Sequence, residues 1–427
     1  MSDESLIELQ IDNIAQGGDG VARHENMVVF VPGGLPGERI LAAVRDVRSS
    51  FMRAELREVL EPSPDRVAPQ VAAGDHLPWQ HIAYPAQLEL KTTIVREQLE
   101  KLASVYHPPL KPTLASPQPW GYRNTIRLHA ENGLLGYYAA GSREVIELTE
   151  DPLALPSINR ALAGLRNALD LPEPGTNIRR PPLPFNGVIL RASASFGYAL
   201  AALDPAPGVT LPELEWLADR WRHDTPALAG VTLAGGRVLS GAGELHDELG
   251  GVTFVLGAES FFQVNAAQAA RMIDLVAAEL AIQPGERLLD AYSGVGTFAL
   301  PLADGAIEVV AIEAHPGAVE DGERSAELNG IRQARFITGV AERVLPKLED
   351  SFDAVILDPP RRGCHPEALA ALVRMAPPRI AYVSCHPGIL ARDIGPLLGA
   401  DYRLELVQPV DLFPQTPHIE TVVILRR

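Results

Sequence analysis

The sequence predicts an α/β protein, with an open, mostly parallel sheet covered by helices in its carboxyl-terminal part, a mixed α+β region before it and a small β-barrel at the start. Three observations carry this. From about residue 267 to 427, apolar strands alternate with helical patterns, and the strands end at Asp290, Glu313, Asp358 and Ser384; that alternation marks βα units. Residues 5–60 instead alternate apolar and polar positions between glycine-rich breaks. The chain of 427 residues is also long enough for about three domains at ~150 residues each.

The barrel is expected over residues 1–62. Leu6 to Ile11 and Met27 to Val31 read as strands, with Gly17-Gly18-Asp19-Gly20 and Gly33-Gly34-Leu35-Pro36-Gly37 as turns. Arg45, Arg48, Arg53 and Arg57 form a dense basic stretch that suits either a nucleic-acid groove or a solvated strand face. Pro62-Ser63-Pro64-Asp65 reads as a linker. The central α+β domain is expected over 63–258. Ala86, Leu88, Leu90, Ile94, Val95, Leu99 and Leu102 give residues 86–104 helical spacing. Residues from about 85 to 116 are expected to pack on the carboxyl-terminal domain. Two more helices are expected near 154–168 and 212–221, and the run Pro172 to Pro184, with five prolines, reads as a loop. Residues 259–427 form the third expected domain.

Composition excludes several classes. With 46% hydrophobic and 21% charged residues the chain is ordinary globular sequence. Its 37 prolines and 36 glycines show no period, which excludes a collagen-like repeat. It has no apolar run of a membrane span, and its polar, acidic start lacks the pattern of a signal peptide, so a cytoplasmic location without a membrane partner is expected. Two cysteines, Cys364 and Cys385, exclude a disulfide framework and a cysteine-built metal site. The net charge of −17 argues against a broadly basic nucleic-acid binder. Nearly all the cations are arginines, however, which suit bidentate phosphate contacts. Nothing in the sequence requires an obligate protein partner or more than a monomer.

Arg287-Leu288-Leu289-Asp290-Ala291-Tyr292-Ser293-Gly294-Val295-Gly296-Thr297-Phe298 reads as strand, tight glycine turn and helix start. Gly294 and Gly296 let a ligand approach the backbone. Glu313 ends the next strand, 23 residues after Asp290, where an acid suits the two hydroxyls of a ribose. Two nucleoside cofactors compete. A dinucleotide would set its pyrophosphate beside the acidic Asp290. S-adenosyl-L-methionine, with a sulfonium, an ammonium and no phosphate, is favoured by that same carboxylate.

A further strand ends in Asp358-Pro359-Pro360-Arg361, where two prolines fix the loop at the sheet's carboxyl edge. Amino-group methyltransferases have a similar Asp/Asn-Pro-Pro followed by an aromatic residue, whereas Arg361 follows here. The next strand ends in Ser384-Cys385-His386-Pro387. A lone cysteine is often core, but this one leaves the sheet at the ligand edge beside a histidine and reads as a nucleophile. Cys364 reads as structural. Asp411-Leu412-Phe413-Pro414-Gln415-Thr416-Pro417-His418-Ile419-Glu420 leads into a last apolar strand. If that strand runs antiparallel, Glu420 faces Cys385 and Asp358.

Taken together these segments resemble the RNA uracil-C5 methyltransferases, which form 5-methyluridine in transfer RNA and large-subunit ribosomal RNA. The match includes Phe261-Phe262-Gln263-Val264-Asn265, Asp290 to Phe298, Glu313, Asn329-Gly330, Asp358 to Arg361, Ser384 to Pro387 and His418-Ile419-Glu420-Thr421. Upstream it adds Gln80-His81-Ile82, Tyr84, Gln87-Leu88 and Tyr122-Arg123-Asn124. The barrel resembles a TRAM domain. The resemblance implies a Rossmann-like class I fold and S-adenosyl-L-methionine as cofactor. It implies Cys385 as the thiolate that adds to uracil C6, Glu420 as the base that removes the C5 proton, and Asp358 between cofactor and base. Gln263, Tyr292, Gly294, Thr297, Glu313 and Asp358 are the implied cofactor contacts, and Phe261 or Phe262 the implied stacking partner of the uracil.

Three departures stand out. His386 follows the nucleophile, where the family usually has Asn. Many relatives hold an iron–sulfur cluster on four cysteines, but the matching positions here are Ala68, Gly74, Leu77 and Asp151, so no cluster is expected. Val340 replaces an Asp near the adenine. The expected partner is RNA, with ribosomal RNA favoured over transfer RNA. The rival readings are an amino-group methyltransferase built on Asp358 and a non-catalytic RNA-binding paralogue.

Overall fold

The computed structural model describes residues 5–71, 76–139, 141–172 and 180–427, which form two compact units. The first unites residues up to Ser116 with Ser384–Gly395 and Leu404–Val423; the second is Pro117–Val383 with Pro396–Arg403 and Ile424–Arg427.

In the first unit, β1 (Leu6–Ile14), β2 (Gly20–His24), β3 (Met27–Val31), β4 (Arg39–Val47) and β5 (Phe51–Glu61) close into a barrel of order β1-β2-β3-β5-β4. Alternation along each strand turns Leu9, Ile11, Ala22, Val29, Val31, Ile40, Ala42 and Ala54 inward. The four arginines read as a basic stretch each meet a carboxylate: Arg45 and Arg57 meet Glu55, Arg48 meets Asp46 and Arg53 meets Asp19. Four arginines thus share three carboxylates, so most of their charge is offset within the barrel.

Helix α1 (Tyr84–Leu102) begins two residues earlier than its periodicity indicates, because Pro85 pre-sets the first turn. Its buried stripe holds Ala86, Ile94, Val95 and Leu99, and also the polar Gln87 and Lys91. Lys91 is fully buried and donates to Asp411 at 2.5 Å and to the Phe413 carbonyl at 3.1 Å. The Tyr84 hydroxyl donates to the other Asp411 oxygen at 2.7 Å. Gln87 donates to the Gln415 side chain at 2.9 Å and accepts the Gln415 N–H at 3.0 Å. Helix α1 thus holds the loop that leads to Glu420.

In the second unit, β6 (Thr125–Glu131), β7 (Leu134–Tyr138), β8 (Val145–Glu147), β9 (Phe185–Ala192), β10 (Ala199–Pro205), β11 (Leu228–Leu233) and β12 (Val238–Gly241) form a sheet of order β12-β11-β10-β9-β6-β7-β8. Helices α2 (Pro156–Ala168) and α3 (Leu211–Asp224) share its core, with Leu162, Leu165, Leu217 and Trp221 packed among sheet residues such as Leu128, Val188 and Leu190. Asp151, one of the four cluster positions, is buried here. It accepts from the Tyr137 hydroxyl at 2.7 Å and the Leu153 N–H at 2.8 Å, while its own N–H donates to Asn159 at 3.0 Å. Of the other three, Leu77 is core and Ala68 is exposed; Gly74 lies outside the described residues.

A hairpin, β13 (Leu245–Leu249) and β14 (Val252–Leu256), precedes α4 (Ala266–Leu280). Then come β15 (Arg287–Asp290), β16 (Glu308–Glu313), α5 (Pro316–Leu328), β17 (Ala334–Thr338), the short α6 (Ala341–Val344), β18 (Ala354–Leu357), α7 (Pro366–Met375), β19 (Arg379–Ser384), α8 (Pro387–Leu398), β20 (Arg403–Val410) and β21 (Glu420–Arg426). The strand order is β17-β16-β15-β18-β19-β21-β20, and β15 pairs in parallel with both β16 and β18. The order reverses at β15, and open α/β sheets bind ligands at the carboxyl ends of strands at such a switch. Among the described residues no helix is long and apolar enough to cross a membrane.

Removing one partner of a buried ion pair leaves an uncompensated charge. Lys91→Met is therefore expected to cost about 3–5 kcal/mol in urea unfolding, and Lys91→Met with Asp411→Leu distinctly less.

Candidate functional site

The second unit assembles the cofactor half of the candidate site. Strand β15 delivers Asp290 to the glycine turn, where the Asp290 carboxylate accepts the Ala299 N–H at 3.2 Å. Its other oxygen, Oδ1, is buried and makes no hydrogen bond. Burial pushes the Asp290 carboxyl up to about 8; the charges of Asp358 and Glu313 add to this, against backbone N–H bonds from Tyr292 and Ala299 that pull it down. Asp358 is half-buried at the end of β18, and burial pushes it up to about 7.

Gln263 donates to Asp358 at 3.2 Å. It is held in turn by Asn124, whose side chain donates to the Gln263 carbonyl at 2.8 Å and whose N–H donates to the Val264 carbonyl at 2.8 Å. Asn124 lies in a segment that drew notice in the sequence without an assigned role. The phenylalanine alternatives separate: Phe262 is core, packed 5.3 Å from the Phe254 ring, and Phe261 is 66% exposed. Of the two rings, only Phe261 is open to solvent.

Gly294 has φ +55°, and a Cβ there would meet nothing within 4 Å, so the turn faces open space. Its N–H donates to Glu313 at 3.0 Å, and the other Glu313 oxygen accepts the His315 N–H at 2.7 Å. These bonds orient the carboxylate and leave lone pairs for ligand hydroxyls. Thr297 is nearly buried in the same turn. Burial also raises the Tyr292 hydroxyl, against which the buried Cys364 thiol lies. Val340 is half-buried just before α6.

This half-site fits a cationic nucleoside. Asp290, whose carboxyl the charges of Asp358 and Glu313 raise and whose buried oxygen lacks a hydrogen bond, favours a positive ligand and opposes a phosphate. When bound, S-adenosyl-L-methionine would be held by Gln263, Tyr292, Gly294, Thr297, Glu313 and Asp358, with Asp290 beneath the turn.

The first unit holds the other two candidates. Cys385 is half-exposed between β19 and α8, and neither cysteine is in a disulfide. Glu420 is 4% exposed and opens β21, the strand next to β19 in the sheet order. The Glu420 loop is fastened by Lys91, Tyr84 and Gln87 of α1, none of which sequence reading placed at the site. The available signal was a lysine on the apolar stripe, four residues after a glutamine on the same face.

Comparison with known proteins gives the family and the fold. The family model for tRNA (uracil-5-)-methyltransferases matches residues 251–427, and that for the TRAM domain matches residues 5–56. An RNA methyltransferase of Thermosynechococcus vestitus is 36% identical over 99% of this chain and 98% of its own. One from Halalkalibacterium halodurans is 32% identical over 98% and 96%. The crystal structure of the Pyrococcus abyssi tRNA (uracil-54, C5)-methyltransferase with S-adenosyl-L-homocysteine superimposes with a TM-score of 0.77, at 26% identity, over 98% of this chain and 100% of that one.

A cation favours the ionised form of both acids. Affinity for S-adenosyl-L-methionine is thus expected to tighten as pH rises through about 7 to 8 and then level off, with proton release measurable by calorimetry in two buffers of different ionisation enthalpy. Asp290→Asn should flatten the pH dependence.

Proposed function

Because this chain belongs to the RNA uracil-C5 methyltransferase family and carries a TRAM domain, we propose that it forms 5-methyluridine in ribosomal RNA by covalent catalysis through Cys385 and Glu420. The observation that supports this best is that a half-exposed thiol follows β19 and a buried carboxylate opens β21, the strand beside β19 in the sheet order.

Uracil C5 is a poor nucleophile. The Cys385 thiolate adds to C6, forming an S–C6 bond and pushing electrons into an enolate whose nucleophilic carbon is C5. S-adenosyl-L-methionine, when bound, would supply the methyl group that C5 takes up, its methyl–sulfur bond breaking to leave the neutral thioether S-adenosyl-L-homocysteine. Glu420 removes the C5 proton, the electron pair re-forms the C5–C6 double bond, and the S–C6 bond breaks to return Cys385. One hard step is thus divided into easier ones. Asp358, held by Gln263, sits at the cofactor half and orients the reacting groups. Phe261 offers a stacking face for a uridine that has left its helix.

The barrel supports the ribosomal reading only weakly, since its arginines are matched by carboxylates. Likeness to the Pyrococcus abyssi enzyme, which acts on transfer RNA, favours the second reading, a transfer RNA substrate. Mapping 5-methyluridine in ribosomal and transfer RNA from cells with and without the protein decides: loss from 23S RNA supports the first, loss from transfer RNA the second.

With RNA carrying 5-fluorouridine, which has no C5 proton to lose, the wild-type protein should accumulate a methylated adduct on the Cys385 peptide, read by mass spectrometry. Cys385→Ala should give neither adduct nor product. Glu420→Gln should trap the corresponding adduct with ordinary uridine, carrying hydrogen in place of fluorine at C5. Methylation by Cys385→Ala would refute the mechanism and favour an amino-group methyltransferase.

A further inference from the structure

Residues 15–19 join β1 to β2 in a tight turn, in which the Ala15 N–H donates to the Asp19 carbonyl and the Gly18 N–H to the Ala15 carbonyl, both at 2.8 Å. The turn touches two segments far away in sequence. The Gln16 amide lies 3.0 and 3.1 Å from the two ring nitrogens of His386, the residue after Cys385. Two residues on, Gly18 has φ +95°, and a Cβ there would stand 2.7 Å from Pro417 Cβ and 2.9 Å from Trp79 Nε1. Pro417 precedes Glu420 by three residues. Gly17, between the two, faces open space.

His386 is held through both its backbone and its ring. Its N–H donates to Ser384 Oγ at 3.2 Å, and its carbonyl accepts the Ile389 and Leu390 N–H groups, both at 3.0 Å. Its Nδ1 accepts the Ile389 N–H at 3.1 Å, so the ring caps the first turn of α8. That bond uses the Nδ1 lone pair, so the neutral ring carries its proton on Nε2. The side chain that meets this edge is Gln16, whose amide can turn its oxygen to accept. The peptide between Cys385 and His386 sets where the thiol points, and small errors at a reacting atom are costly.

We propose that Gln16 is a positioning residue for Cys385, acting through His386, so that the amino-terminal barrel is part of the catalytic apparatus as well as a candidate RNA-binding module. The inference deepens the function proposed above and rests on Cys385 being its nucleophile. The barrel turn then bears on both chemical groups: Gln16 on the nucleophile loop, and Gly18 on the loop that ends in Glu420.

The test is steady-state methylation of RNA by the full chain, with amide hydrogen exchange of Ile389 measured on the same proteins. Gln16→Ala is expected to lower kcat on the order of tenfold or more while KM for RNA stays within about twofold. It should also speed Ile389 exchange about tenfold, because the ring that accepts this N–H has lost its partner. Gln16→Glu, which can still accept from Nε2–H, should recover kcat to within about threefold, and Gly17→Ala should match wild type. A raised KM with unchanged kcat would overturn the inference by making Gln16 an RNA contact, and unchanged kcat, KM and exchange would overturn it outright. A wild-type chain that forms neither product nor adduct would sink the proposed function. Ile389 exchange would then decide the positioning of His386 alone: acceleration in Gln16→Ala upholds it, and no change overturns it.

Discussion

A lysine with no exposed surface meets an aspartate with none at 2.5 Å, and much of the first unit is arranged around that pair. Burying two charges is costly unless geometry and further hydrogen bonds compensate. Here they do. Asp411 also accepts from Tyr84, whose hydroxyl oxygen accepts the Ser116 N–H at 2.7 Å. Lys91 also donates to the Phe413 carbonyl and lies 5.6 Å from the centre of the Trp79 ring. The network ties one face of α1 to the segment from Asp411 to Gln415, and that segment runs straight into Glu420. For the proposed task of Glu420, a carboxylate in a nearly dry strand that takes a proton from one carbon atom, a fixed backbone is needed. The buried pair supplies it.

The second unit solves a different problem. Asp290, Asp358 and Glu313 gather at the carboxyl ends of three adjacent strands, where burial holds Asp290 and Asp358 well above the usual carboxylate range and repulsion adds to it at Asp290. In the unfolded chain Asp290 ionises near 3.8, but in the folded chain near 8. The folded protein therefore holds the extra proton in between, and this group's contribution to stability falls as pH rises across that window. A cationic ligand reverses the balance. The same feature that makes the empty cluster unfavourable makes it selective, since a pyrophosphate would add charge of the wrong sign.

Much of this was legible because apolar strands that stop at a polar residue on the carboxyl edge are easy to see: Asp290, Glu313, Asp358 and Ser384 were visible in this way. Helix α1 was displaced by only two residues, at a proline. The seven strands of the middle sheet were less legible, because they are short, separated by proline-rich stretches and paired out of sequence order, as β6 is with β9. The barrel arginines looked like a basic face because a linear reading does not show which carboxylate a neighbouring strand brings opposite; Glu55 reaches Arg45 only through the β4–β5 pairing. Gln16 gave no signal at all, being a polar residue in a glycine-rich turn. Its meaning comes from a contact 370 positions away in the chain.

The central claim is that one thiol opens the uracil ring to attack and one carboxylate then strips hydrogen from C5. RNA labelled with tritium at uridine C5 reads both events. The account predicts one tritium released to water for each methyl group transferred by the wild-type protein, and none from the Cys385→Ala or Glu420→Gln proteins. Methyl transfer to finished product by the wild-type protein that leaves the tritium in place would put the new group on another atom and contradict the account.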